Sequence, residues 1–245
     1  QGLPAPLLVL AAAGVLLLLQ PDFGALVLVS AIAFGLLFLA GAPLLPFIVL
    51  CGLGLGGGWL LIVESPYRLD RLTMFRDPWA DPFDSGFQLT QSLIAIGRGE
   101  WWGVGLGGSV QKLSYLPEPH TDFVFAVLAE ELGLVGVVLL VVLYTYLCLR
   151  VFRLGSLSLQ VNRPFAGFLC YGVAIWLGLQ SFINMAVTMG LLPTKGLTLP
   201  LLSYGGSSLL VSIVALALVL RADHERRQVG VAASRLPRRR RSGHG

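Results

Sequence analysis

His120, Thr121 and Asp122 close a long hydrophilic stretch and stand directly before an apolar block. A carboxylate beside an imidazole at a membrane surface can take the proton of a hydroxyl group, which is general-base work. The same placement admits a plainer use. Thr121 or Asp122 can N-cap the helix that follows, accepting backbone N–H bonds and complementing its dipole. Capping needs only one of these residues, and Pro117 and Pro119 stiffen the approach enough to fix where Asp122 points.

Other polar residues lie deeper in apolar surroundings. Glu130 and Glu131 follow Asp122 by eight and nine residues, about 12 Å along a helix. Intramembrane acids face either an interior cavity or a partner that neutralises them, and both uses stay open here. Gln180 and Asn184 share one helical face and read as hydrogen-bonding glue between helices. From Leu191 to Pro200, followed by Ser203-Tyr-Gly-Gly-Ser-Ser208, the chain is polar and non-helical between two apolar blocks. Such backbone survives at membrane depth only under cover of protein or a water-filled cavity. Within it Lys195 supplies a cation suited to a pyrophosphate, or else snorkels to the interface. Gly103, Gly105 and Gly108 match a dinucleotide-binding glycine pattern, but that fingerprint needs a preceding strand in a βαβ unit. A turn-rich loop, whose amides could still meet a phosphate, is the reading we adopt.

The elements that must position these residues are helices in lipid. Hydrophobic residues make up 56% of the 245 and charged ones 12%, against about 25% in soluble domains. The apolar residues form uninterrupted blocks near the roughly 20 residues that cross a bilayer as helix, which favours helices over the alternating strands of a barrel. The expected class is all-α: a polytopic transmembrane bundle of about six spans with a long extracytoplasmic loop. Residues 1–63 hold three spans (Leu3 to Leu19, Phe23 to Ala40, Pro43 to Val63) and 64–121 form the loop. Residues 122–222 hold three more (Phe123 to Leu149, Phe165 to Leu191, Ser203 to Leu220), with a re-entry segment near 191–205. Within the loop, Leu89, Leu93 and Ile96 predict a short amphipathic helix over about 87–96, and Trp101 and Trp102 suit the headgroup layer.

The net charge of +4 is all tail: residues from Arg221 onward carry +6 and the first 220 carry −2. Residues 223–245, with Arg226, Arg227 and the run Arg238 to Arg241, read as a disordered basic cytoplasmic tail that can touch anionic membrane lipid. The tail lacks interleaved aromatics and any folded reading module, so no nucleic acid is expected as partner. Arg150, Arg153 and Arg163 between the fourth and fifth spans place that side inside. The 64–121 loop, the turn at Asp22 and the connection containing Lys195 then face outward. Cys51, Cys148 and Cys170 show no metal-ligand spacing, and no disulfide is indicated. The first block has no initiator Met and no basic leader region, so a signal peptide is not indicated and a truncated chain is expected.

Five ordered motifs carry a family resemblance. Gly86-Phe-Gln-Leu-Thr-Gln-Ser-Leu-Ile-Ala, Gly103-Val-Gly-Leu-Gly with Ser109-Val-Gln-Lys112, Tyr115-Leu-Pro-Glu-Pro-His-Thr-Asp-Phe, Ala129-Glu-Glu-Leu-Gly133, and Leu191-Leu-Pro-Thr-Lys-Gly with Ser203-Tyr-Gly-Gly-Ser-Ser208 resemble the SEDS (shape, elongation, division, sporulation) proteins. The resemblance runs from about Gln20 to Arg227. Ser109 to Lys112, Pro193 to Gly196 and Arg98-Gly-Glu-Trp-Trp102 resemble division-type rather than elongation-type members. Family members have about ten spans, so roughly the first four are expected to be missing here.

The resemblance implies a peptidoglycan glycosyltransferase of the bacterial inner membrane, at the division septum, acting on lipid II on its periplasmic face. Asp122 is then the expected base, removing the proton of the acceptor's GlcNAc 4-hydroxyl for attack on the donor's MurNAc C1, with undecaprenyl pyrophosphate leaving. Glu118, His120, Thr121, Lys195, Ser203 and Ser207 would bind or position substrate, and Glu130 and Glu131 would be structural or line the cavity. A divalent cation (Mg or Mn) would assist the leaving group, although no residue cluster identifies a metal site. A class B penicillin-binding protein, the crosslinking transpeptidase, is the implied partner, together with other division proteins. A lipid II flippase using Glu130 and Glu131, an elongation-type polymerase and a non-catalytic scaffold are the competing readings.

Overall fold

The computed structural model describes residues 4–20, 22–64, 77–81, 86–111, 120–193 and 196–235. Among them are seven helices: α1 (Pro4–Leu19), α2 (Phe23–Leu39), α3 (Leu44–Val63), α4 (Phe87–Gly99), α5 (Val124–Gln160), α6 (Pro164–Thr188) and α7 (Gly206–Arg235). The described residues contain no strand. α5, α6 and the part of α7 up to Gln228 are long and apolar enough to cross a membrane. α1 and α2 are as apolar but have 16 and 17 residues, at the short end of the roughly 17–25 that a span needs.

Local chemistry sets most boundaries. α2 starts where Asp22 Oδ1 accepts the Ala25 N–H at 2.9 Å, a side-chain cap on an orphan donor. α5 and α6 join through Val161, Asn162 and Arg163, with Asn162 at φ 59° and Pro164 pre-set for the first helical turn. α5 and α6 cross at two glycines. A Cβ on Gly155 would stand 2.7 Å from the Tyr171 ring, and one on Gly167 would stand 2.6 Å from the Leu159 side chain. Small residues at such a crossing let backbones approach where lipid supplies no hydrophobic drive for helices to associate.

Around this pair, α1 packs on α2, α2 on α6, and α7 on both α5 and α6. Val151, Leu154, Cys170, Ala174, Val219 and Ala222 form the core at one end. At the other, Phe125, Leu140, Tyr144 and Leu199 pack beneath the irregular segment that precedes α7. Leu139, Val142 and Leu143 of α5 and Leu210, Val211 and Ile213 of α7 point out of the bundle, a surface suited to lipid.

Several expected boundaries shift. α5 continues to Gln160, so Arg150 and Arg153 lie on its last turns and only Arg163 is in the connection. The part of it after the break at Gly133, residues 134–160, spans about 40 Å, beyond a hydrocarbon core of about 30 Å. α6 ends at Thr188 rather than Leu191, and α7 begins at Gly206 rather than Ser203. α7 also runs on to Arg235, so the start of the supposed disordered tail is helical. Arg226 and Arg227 both pair with Asp223, at 2.6 and 2.8 Å, and such i,i+3 and i,i+4 pairs sustain an exposed helix. The amphipathic helix extends to Gly99 and buries Leu89, Thr90, Ser92 and Ala95 against α5 and α6. Arg238 to Arg241, and all of the Tyr67 to Ser85 stretch except residues 77–81, lie outside the described residues.

Candidate active site

Two non-helical segments meet over the C-terminal turns of α6. The Tyr204 N–H donates to the His120 carbonyl at 2.7 Å, joining the approach to α5 with the approach to α7. The Asn184 side-chain amide reaches between them, with Nδ2 donating to Asp122 O at 2.9 Å and to Leu197 O at 2.5 Å. One turn back, Gln180 Nε2 donates to Thr198 O at 2.8 Å. The Tyr144 hydroxyl donates to Pro200 O from α5. Gln180 and Asn184 therefore satisfy the carbonyls of irregular backbone in neighbouring segments. Their four-residue spacing in an apolar helix was the available signal.

The Asp122 carboxylate lies against Gly196: a Cβ there would stand 3.0 Å from Oδ2. Asp122 and Thr121 are half-buried and His120 is exposed. The helix cap falls on Phe123, which makes no side-chain capping bond. Asp122 and Thr121 thus sit one and two residues before the cap position that the capping reading assigned them. Ser203 is buried, and its Oγ accepts the Leu199 N–H at 2.7 Å, so its hydroxyl helps to organise the turn. Ser207 is exposed in the first turn of α7. Glu118 and Lys195 lie outside the described residues.

Glu130 answers the question left open by its position. It is fully buried, and it accepts from Ser109 Oγ at 2.5 Å, from Val110 N at 3.2 Å and from half-exposed Arg98 at 3.5 Å. A buried carboxylate is tolerable when paired and hydrogen-bonded in this way. Glu131 is half-buried, and its carbonyl accepts the Gly105 N–H at 3.0 Å. This region also breaks α5. Gly133, at φ 64° and ψ −165°, interrupts the helix, and the loop from Gly99 to Gly105 fills the gap. Val104 N and Gly105 N donate to the Glu130 and Glu131 carbonyls, while Leu134 N and Val135 N donate to the Glu100 and Trp101 carbonyls. The amides of Gly103, Gly105 and Gly108 all donate within the protein, so they are not open to a phosphate.

Among the described residues no three His, Cys, Asp or Glu side chains converge as a cation site. No step below runs through a divalent cation.

Known proteins resemble this chain in sequence and in fold. A protein from Alkalilimnicola ehrlichii, described as probable peptidoglycan glycosyltransferase FtsW, is 65% identical over 97% of this chain and 59% of its own length. Its counterpart from Halomonas elongata, of the same description, is 57% identical over 91% of this chain and 56% of its own. The chain thus spans less than two thirds of the length of these relatives. Among solved structures, one described as "Structural coordination of polymerization and crosslinking by a peptidoglycan synthase complex" superposes with a TM-score of 0.71 at 36% identity, covering 92% of this chain and 62% of that one. The rod shape determining protein RodA of Thermus thermophilus superposes at 0.60, with 34% identity over 91% of this chain and 56% of its own. Residues 1–228 match the profile of the FtsW, RodA and SpoVE family, described as cell cycle protein. With helices of membrane-crossing length, this sequence match and these two superpositions, the chain belongs to that family of membrane proteins.

Proposed function

We propose that this chain carries the acceptor-activating site of a peptidoglycan glycosyltransferase that polymerises lipid II for septal wall synthesis in cell division. The observation that supports it most is the convergence of His120 to Asp122 with Gly196 to Tyr204, which holds a carboxylate at the mouth of a polar break in an apolar bundle. Asp122 takes the proton of the acceptor GlcNAc 4-hydroxyl as that oxygen bonds to C1 of the donor MurNAc. The bond from C1 to the phosphate oxygen breaks, and undecaprenyl pyrophosphate leaves. A positioned general base contributes about 10²–10⁴-fold to such a step. In this reading His120, Thr121 and Glu118 orient the acceptor, and Lys195 and Ser207 serve the pyrophosphate. We place the site on the periplasmic face of the bacterial inner membrane, with a class B penicillin-binding protein as the crosslinking partner. The relatives described as FtsW support the division-type assignment over the elongation type.

Transport of the lipid II headgroup through Glu130 is less favoured, because its carboxylate is engaged by Arg98, Ser109 and Val110. The test is polymerisation of lipid II by the purified full-length protein with its penicillin-binding partner. Asp122→Asn should abolish polymer while leaving the complex assembled; undiminished polymer from Asp122→Asn would remove Asp122 as the base.

A further inference from the structure

We propose that Asn184 is the positioning residue that aims the catalytic base: its amide ties the Asp122 main chain to the re-entry segment, so that the carboxylate stays at Gly196. This inference rests on the reading of Asp122 as base. Both bonds run from Nδ2 to carbonyl oxygens, Asp122 O at 2.9 Å and Leu197 O at 2.5 Å. Two carbonyls can be satisfied only by the NH₂ group, which fixes the orientation of the amide. Asn184 is 2% exposed, and among the described residues its Oδ1 has no hydrogen-bond partner. A side chain serving only to fill space would be cheaper as an apolar one, since a buried amide oxygen without a donor is unfavourable. The two donor bonds are therefore what distinguishes asparagine from leucine at this position.

The crosslink joins residues far apart in sequence, 62 positions from Asn184 to Asp122 and 13 to Leu197. Asp122 stands before the helical cap, outside the regular turns of α5. Asn184 supplies the restraint from a rigid helix, as second residues do at preorganised sites. The polar row of α6 also shows a contrast. Ser92 Oγ donates to Thr188 O at 2.8 Å, one turn beyond Asn184, and holds α4 without touching residues 120–122.

The experiment measures steady-state polymerisation of lipid II by the full-length protein with its partner, for Asn184→Leu, Asn184→Asp, Ser92→Ala and Asp122→Asn. Displacing a catalytic group by about 1 Å costs about 100-fold in turnover, so Asn184→Leu should lower kcat about 100-fold and leave KM within about threefold. Ser92→Ala, which loses a buried bond to the same helix, should keep wild-type kcat. Should Asn184→Leu fail to accumulate, Asn184→Asp decides, because it keeps the shape but sets an oxygen against the two carbonyls. A folded Asn184 variant with wild-type kcat, or one that raises only KM, overturns the proposal. So does an equal fall in kcat for Ser92→Ala, which would mark a general loss of packing. If Asp122→Asn itself retains full activity, the reading of the base fails instead, and that outcome is visible separately in the same assay.

Discussion

Replacing Gly133 by alanine tests whether the break in α5 is built by sequence or merely tolerated. Its backbone, at φ 64° and ψ −165°, lies in a region open essentially to glycine, and a side chain there costs about 1–3 kcal/mol. The added Cβ would also meet backbone on the inserted loop: Gly103 N at 2.4 Å, Gly99 O at 2.7 Å and Trp101 C at 2.7 Å. None of these atoms is the end of a flexible side chain, so the loop must move away. Four backbone bonds cross the break. At about 0.5–1.5 kcal/mol each, losing half of them adds about 1–3 kcal/mol. The total is about 2–6 kcal/mol against a typical domain stability of about 5–15. Amide hydrogen exchange reads this directly at Val104, Gly105, Leu134 and Val135. At one decade per 1.4 kcal/mol, exchange there should quicken about 30- to 20,000-fold. Gly107→Ala is the control, since φ is 81° but the space around it is open, and it should cost only about 1–2 kcal/mol of backbone strain. If the two variants exchange alike, the insertion does not depend on a glycine at 133 and the reasoning fails.

Two further outcomes follow from the packing. Glu130→Ala removes the acceptor for Ser109 and Val110 and should lower stability by about 3 kcal/mol, as judged by equilibrium unfolding in detergent. Arg98 is half in solvent and adds little to that loss. Glu130→Gln should cost less, because the Ser109 hydroxyl can turn to accept from the new amide; equal losses would mean that the hydrogen bonds do not set the cost. Gly155→Val drives a methyl-bearing carbon into the Tyr171 ring and should destabilise the α5–α6 pair by about 1–3 kcal/mol in the same assay. An unchanged midpoint would show that the crossing can open freely.

The broken helix and the re-entry segment obey one physical rule. In an apolar bundle every exposed peptide group needs a partner, and both irregular stretches find theirs in other parts of the chain. At Gly133 the partners are carbonyls and amides of the 99–105 loop. At residues 196–200 they are the side chains of Asn184, Gln180, Tyr144 and Ser203. Polar groups that would otherwise be expensive in lipid are thereby concentrated where the candidate site lies.

The sequence by itself determined the helices and the class. Apolar blocks of bilayer length, turn residues at Asp22 and Gly41, and the Leu89, Leu93, Ile96 period are local signals that dictate local structure. It also marked Asp122, Glu130, Asn184 and the 191–205 segment as chemically unusual. It did not say how they are used. The structure ties Ser203 into its own turn, neutralises Glu130 from residues 20 to 32 positions away, moves the α5 cap to Phe123, and extends α7 through Arg226 and Arg227. The difference is physical. A helix is written in neighbours three and four residues apart, whereas the partner of a buried polar group is chosen by the whole fold, because any donor the chain brings within about 3 Å will serve.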